Sequence, residues 1–130
     1  MKQDISTLEA IKQMVDSFYS KIKENELLGP IFEERIANNW PGHLEKMYRF
    51  WQTILLEEHT YSGSPFHPHA SMPLDKMHFR TWLEIFVNNI DEQFEGPIAE
   101  EAKKRGTLMA AIFNSKIDYL NKAKHDSAQS

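Results

Sequence analysis

Six histidines, four tyrosines and no cysteine set the chemistry open to this chain of 130 residues. Without cysteine there are no disulfides, zinc–thiolate sites, iron–sulfur clusters or cysteine nucleophiles. Metal ligation therefore falls to histidine. His67 and His69 stand two apart in the string Pro-Phe-His-Pro-His. Zinc takes three or four ligands in tetrahedral geometry, and this His-x-His lacks a third at a recognised spacing. By spacing alone, the pair reads as solvated loop histidines. His59 lies among Glu57, Glu58 and Thr60, and His125 lies in a polar tail. His78, near a helix start, reads as a surface or packing residue.

His43 opens an apolar helical pattern and shares a face with Lys46 and Met47, three and four residues on. The three make a polar tip, a cation and an apolar side chain. They are equally readable as a helix-start histidine beside a core methionine. Tyr19 adjoins the apolar stripe of the first helix, so its hydroxyl needs a partner if buried. The sequence holds no glycine-rich phosphate loop, no nucleophile elbow, no HExxH and no distinct carboxylate pair. It offers no protein-only catalytic machinery.

The elements that must position these groups are helices. Ser6-Thr7-Leu8-Glu9 reads as a capping box. Behind it, Leu8, Ile11, Val15, Phe18 and Ile22 make one stripe at helical spacing. Gly29-Pro30 breaks that pattern before the apolar pair Ile31-Phe32. Asn38 or Asn39 can cap the next helix, with Pro41 in its first turn. Its stripe is Leu44, Met47, Trp51, Ile54 and Leu55, with Phe50 alongside. Residues 57–74 hold Gly63, Pro65, Pro68 and Pro73, which oppose a long regular helix. Asp75 can cap a helix with the stripe Phe79, Trp82, Leu83, Phe86 and Ile90. After Gly96-Pro97, a last long helix is marked by Ile98, Ala102, Met109, Ile112, Phe113, Ile117 and Leu120. No segment alternates like a strand, so the fold class is all-α. One domain is expected over 1–130, with a core over 6–120 and a frayed polar tail over 121–130.

Composition agrees with a globular chain. Hydrophobic residues are 41%, charged residues 26% and aromatics 12%, enough for a filled core or a pocket for a flat apolar ligand. A net charge of −4 gives no electrostatic reason to expect nucleic acid. The sequence shows no signal-peptide core and no membrane span, so cytoplasm is the expected location.

The order of these residues carries more than any one of them. Phe18-Tyr19, Leu28-Gly29-Pro30-Ile31-Phe32, Trp40-x-x-His43, Phe50-Trp51, Tyr61-x-Gly63, His69 and Phe79-x-x-Trp82-Leu83 follow one another along most of the chain. This pattern resembles the third group of truncated haemoglobins, which are bacterial two-over-two globins. The resemblance implies an all-α two-over-two helical sandwich around haem b. It implies that His69 is the proximal histidine on the iron, with His67 the competing ligand. It implies that Tyr19 hydrogen-bonds the bound diatomic ligand, that His43 is the distal histidine, and that Trp82 reaches the distal pocket. Met47 then takes the apolar distal position and Phe32 packs on the haem face. Phe18, Phe50 and Trp51 complete the aromatic cage, and Lys46 lies near a propionate. The short proline-rich run before Asp75 fits the loop and short helix that truncated globins have there.

The function so implied is binding of dioxygen or a related diatomic. Redox chemistry on nitric oxide or peroxide would need an electron donor such as a reductase. The expected state is a monomer, with a dimer left open. Two other readings stand beside it: a non-haem all-helical interaction module, and a haem enzyme of peroxidase type. Haem attachment through cysteine is excluded, since there is no cysteine to form it.

Overall fold

The computed structural model describes residues 2–56 and 76–129. His67, His69 and Asp75 lie outside the described residues. Within them are five helices: α1 (Leu8–Glu24), α2 (Gly29–Ile36), α3 (Trp40–Leu56), α4 (Lys76–Gln93) and α5 (Pro97–Gln129). The described residues contain one isolated bridge, Gln3 to Phe94, and no strand. The all-α expectation holds.

α1 begins one residue later than a Ser6 cap would place it. Thr7 is the N-cap, with extended backbone, and its hydroxyl accepts from the Ala10 amide at 3.1 Å. The position three residues on is therefore Ala10 rather than Glu9, and no reciprocal capping box forms. α1 ends at Asn25, whose side-chain Oδ1 accepts from the amides of Leu27 and Leu28. Gly29 begins α2 rather than merely breaking α1. A Cβ there would lie 2.6 Å from the Lys23 carbonyl oxygen, so only glycine allows this close turn. Pro30 sits in the first turn of α2, where its missing amide is harmless.

Two helix pairs form the body. α1 packs on α3, α4 packs on α5, and α1 crosses α4. The turn between α4 and α5 is built by the chain start. The Glu95 amide donates to the Gln3 carbonyl, and the Asp4 carboxylate accepts from the Ile98 and Ala99 amides at 3.1 and 2.7 Å. Asp4 thus caps α5 from 94 residues away. Gly96 adopts φ +129°, and a Cβ on it would collide with that carboxylate.

The inward face of α5 differs from the expected stripe. Ala99, Ala102, Gly106 and Ala110 are buried, whereas Ile112 is 48% exposed. The small residues let α5 approach α4 closely: a Cβ on Gly106 would lie 2.5 Å from the Phe86 ring. α5 also continues through Gln129, past the point where the apolar stripe stops. Neither glycine nor proline follows Gly106 to interrupt it.

Two polar residues, Gln52 and Asn89, are buried among the described residues. Asn89 of α4 is fully buried. Its Nδ2 donates to the Met14 carbonyl and to Ser17 Oγ, both at 3.1 Å. Its Oδ1 accepts from Lys21 Nζ at 2.6 Å and Gln93 Nε2 at 2.9 Å. This network pins the register of α1 on α4.

Candidate functional site

A cleft of about 750 Å³, counted with its open mouth, lies between the two helix pairs. α1 contributes Met14, Val15, Phe18 and Tyr19 to its wall. α2 contributes Phe32, and α3 contributes Met47, Phe50 and Trp51. α4 contributes His78, Phe79, Trp82 and Phe86, and α5 closes it with Met109, Ala110 and Phe113. These side chains meet because each helix turns its apolar stripe inward.

The aromatic wall has an ordered arrangement. Trp82, Phe86 and Trp51 form a stack, with centroids 5.1 and 5.2 Å apart and planes within 20°. Phe18 meets Trp82 and Phe86 edge-on at 5.4 and 5.5 Å. Tyr19 lies 4.9 Å from Phe18 and 6.2 Å from Phe32. Such packing holds its rings firmly and offers a broad apolar slot.

Tyr19 supplies the polar point of that slot. The residue is only 8% exposed. Burial alone pushes its phenol pKa upward, with no charged or hydrogen-bonding neighbour among the described residues contributing. At neutral pH the group is a protonated phenol, able to donate to a guest in the cleft.

The positions singled out in the sequence divide into two sets. Phe18, Tyr19, Phe32, Met47, Phe50, Trp51 and Trp82 all reach the cleft. His43 and Lys46 are not part of its wall. Lys46 is exposed, because it sits one residue and so about 100° around the helix from Met47. His43 lies behind Tyr19, ring to ring at 4.9 Å. His69 and His67 fall outside the described residues.

His78, which in sequence reads as a surface or packing residue, belongs to the cleft wall. The available signal was its spacing: residues 78, 82 and 86 follow one another at intervals of four on one face of α4. Met109, on α5, is a second wall residue whose role as core alone was assumed.

The slot fits a flat, largely apolar prosthetic group on two grounds. Its walls are mostly rings and methionines, and the Tyr19 phenol that lines it has no hydrogen bond among the described residues.

Comparison with known proteins agrees with this geometry. The bacterial-like globin family matches residues 3–115. The chain belongs to that family. It is also similar to the group 3 truncated hemoglobin of Campylobacter jejuni subsp. jejuni. Identity is 27% over 121 residues, covering 90% of this chain and 95% of that one. The crystal structure of the group III truncated hemoglobin from Campylobacter jejuni superposes with a TM-score of 0.82, at 27% identity and the same coverage. The truncated-globin fold expected from the sequence is therefore present. Membership in the bacterial-like globins implies a haem cofactor and haem-based ligand binding, against a non-haem interaction module. No helix among the described residues is long and apolar enough to cross a membrane.

Proposed function

We propose that this chain holds haem b through His69 and binds a diatomic ligand, dioxygen foremost, beside Tyr19. The observation that carries this reading is Tyr19, a buried residue that lines the aromatic cleft and makes no hydrogen bond among the described residues. When bound, the haem supplies the iron at which a diatomic ligand can coordinate. Everything else is the work of this chain. The Trp82–Phe86–Trp51 stack and Phe18 exclude water from one side. Phe32 and Met47 close other parts of the slot. Tyr19 donates its proton in a hydrogen bond to the ligand without losing it, since its raised pKa keeps the phenol neutral.

Trp82, also in the cleft wall, would provide a second donor through its indole N–H. His78, also in that wall, would offer a polar group to a propionate, as would the exposed Lys46. Dioxygen held at a haem iron would draw more negative charge than carbon monoxide and would gain more from the Tyr19 donor. A hydrogen bond to a charged partner is worth about 1.5–3 kcal/mol. That corresponds to roughly tenfold or more in affinity, expressed mostly in the release rate. Slow release suits a protein that reacts with or senses its ligand better than one that delivers it. Turnover would draw electrons from a reductase, in the cytoplasm, with the chain acting as a monomer.

The test is spectroscopic. Purified protein should show a Soret band that shifts on reduction and again on carbon monoxide. His69→Gly should lose haem or require added imidazole, while His67→Gly should keep its spectrum. Bleaching by His67→Gly with an unchanged His69→Gly would overturn the assignment.

A further inference from the structure

The Tyr19 ring is backed by two others that do not reach the cleft. The His43 ring stands 4.9 Å from it at 86°, and the Trp40 ring stands 5.8 Å from it at 66°. His43 and Trp40 are themselves 6.1 Å apart at 89°. The three rings therefore meet edge to face around a triangle. Beyond them, Lys23 Nζ sits 4.2 Å from the centroid of the Trp40 ring. Lys23 is exposed and Trp40 half-buried. Cleft, Tyr19, Trp40 and Lys23 follow one another outward to solvent.

Trp40 carries a penalty in this place. Its Nε1 is buried and has no hydrogen-bond partner among the described residues. A phenylalanine would supply a ring without a buried unmatched N–H. An aromatic side chain kept despite that penalty, and wedged against the one polar group of α1 that faces the cleft, serves something besides stability.

We propose that Trp40 is a positioning residue of the ligand site: clamped by the Lys23 ammonium, it fixes the Tyr19 ring from behind and so aims its hydroxyl into the cleft. The inference rests on the reading of Tyr19 as donor to the bound ligand. A hydrogen bond weakens steeply as its angle opens, so a ring free to rock loses part of its contribution without losing contact. The edge contacts limit that rocking. The Lys23 ammonium acts on the outer face of the indole, where cation and ring attract. It ties the end of α1 to the first residue of α3. His43 rides on the same turn of α3, so both neighbours of Tyr19 are held by one clamp.

The experiment is a double-mutant cycle on haem-loaded protein, reading dioxygen and carbon monoxide release, together with urea midpoints of the haem-free chain. Tyr19→Phe serves as the reference. Trp40→Phe and Trp40→Leu should both speed dioxygen release, the latter by on the order of threefold to tenfold, as expected of a misaligned hydrogen bond. Lys23→Met should act in the same direction and more weakly. Carbon monoxide release should stay within about twofold, since that ligand gains little from the donor. In the Tyr19→Phe background, Trp40→Leu should add nothing, because its effect runs through the hydroxyl. The Trp40→Phe chain should keep or raise its urea midpoint. The inference is overturned if Trp40→Leu acts equally in both backgrounds, if it leaves dioxygen release unchanged, or if Trp40→Phe lowers the midpoint. Unchanged dioxygen release in Tyr19→Phe itself would instead show that the ligand-site reading fails, and the inference with it.

Discussion

Asn89 and Tyr19 are two buried polar side chains, the first bridging α4 to α1 and the second on α1 against α2 and α3, and they are treated in opposite ways. Every hydrogen-bonding direction of the Asn89 amide is used, by Met14, Ser17, Lys21 and Gln93. The Tyr19 phenol is held by rings, and among the described residues no hydrogen bond or charge contributes to its raised pKa. A fully matched network fixes how two helices pack and asks for nothing more. An unmatched group facing a cleft is a half-made interaction whose other half comes from a guest. The difference separates a polar group committed to packing from one left open to the cleft.

That contrast can be broken first at Asn89. Asn89→Ala should lower unfolding stability by about 2–4 kcal/mol, since it strands several buried partners at once. Urea titration checks this. Dioxygen release by the folded fraction should change little. A variant with intact stability and altered ligand release would reverse the roles assigned to the two residues.

The next largest effect is expected behind the ring stack. Gly106→Ala would push a methyl into Phe86, which stands between Trp82 and Trp51. Overpacking of this kind costs about 1–3 kcal/mol. It should show as a lowered thermal midpoint and a shifted tryptophan fluorescence maximum. An unchanged midpoint would mean that α5 can move away from α4 freely.

The smallest effect sharpens the comparison through pH. Tyr48 has its pKa pushed up to about 12 by burial and by its hydrogen bond to the Asp16 carboxylate. Tyr19 is raised by burial alone. An unfolded tyrosine ionises near pH 10. Both groups bind protons more tightly when folded. Their contribution is therefore complete below about pH 10 and is lost as pH rises toward the folded values. Urea midpoints at pH 8, 10 and 11 should fall progressively. Tyr48→Phe, costing within about 1 kcal/mol at pH 8, should flatten that fall. An equally steep fall in Tyr48→Phe and Tyr19→Phe would assign the alkaline loss to other groups.

Much of this architecture was legible in the residue pattern. The stripes of α1, α3 and α4 were readable because large apolar side chains recur at helical spacing. Phe18, Met47, Phe50, Trp51 and Trp82 reach the cleft because those stripes face it, and Phe32 joins them from α2. Other features escaped for definite physical reasons. Asn89 scores as polar, and only its four partners, brought together by folding, make it a core residue. The inward face of α5 is built of alanine and glycine, which carry little hydropathy, so Ile112 was drawn into a stripe that it does not join. The cap of α1 moved from Ser6 to Thr7 because two adjacent hydroxyl residues offer the same chemistry. His78 was passed over because a single histidine near a helix start has no signature until its neighbours at 82 and 86 are known to line a cleft.

The central claim is that the Tyr19 hydroxyl exists for a ligand and not for the fold. Flash photolysis and stopped-flow mixing on wild type and Tyr19→Phe, with a urea midpoint for each, test it directly. Loss of the hydroxyl should speed dioxygen release by about tenfold or more. Carbon monoxide release should change far less, and the urea midpoint should stay the same or rise. Unchanged dioxygen release together with a lowered midpoint would show that Tyr19 is a structural residue, and would contradict the account.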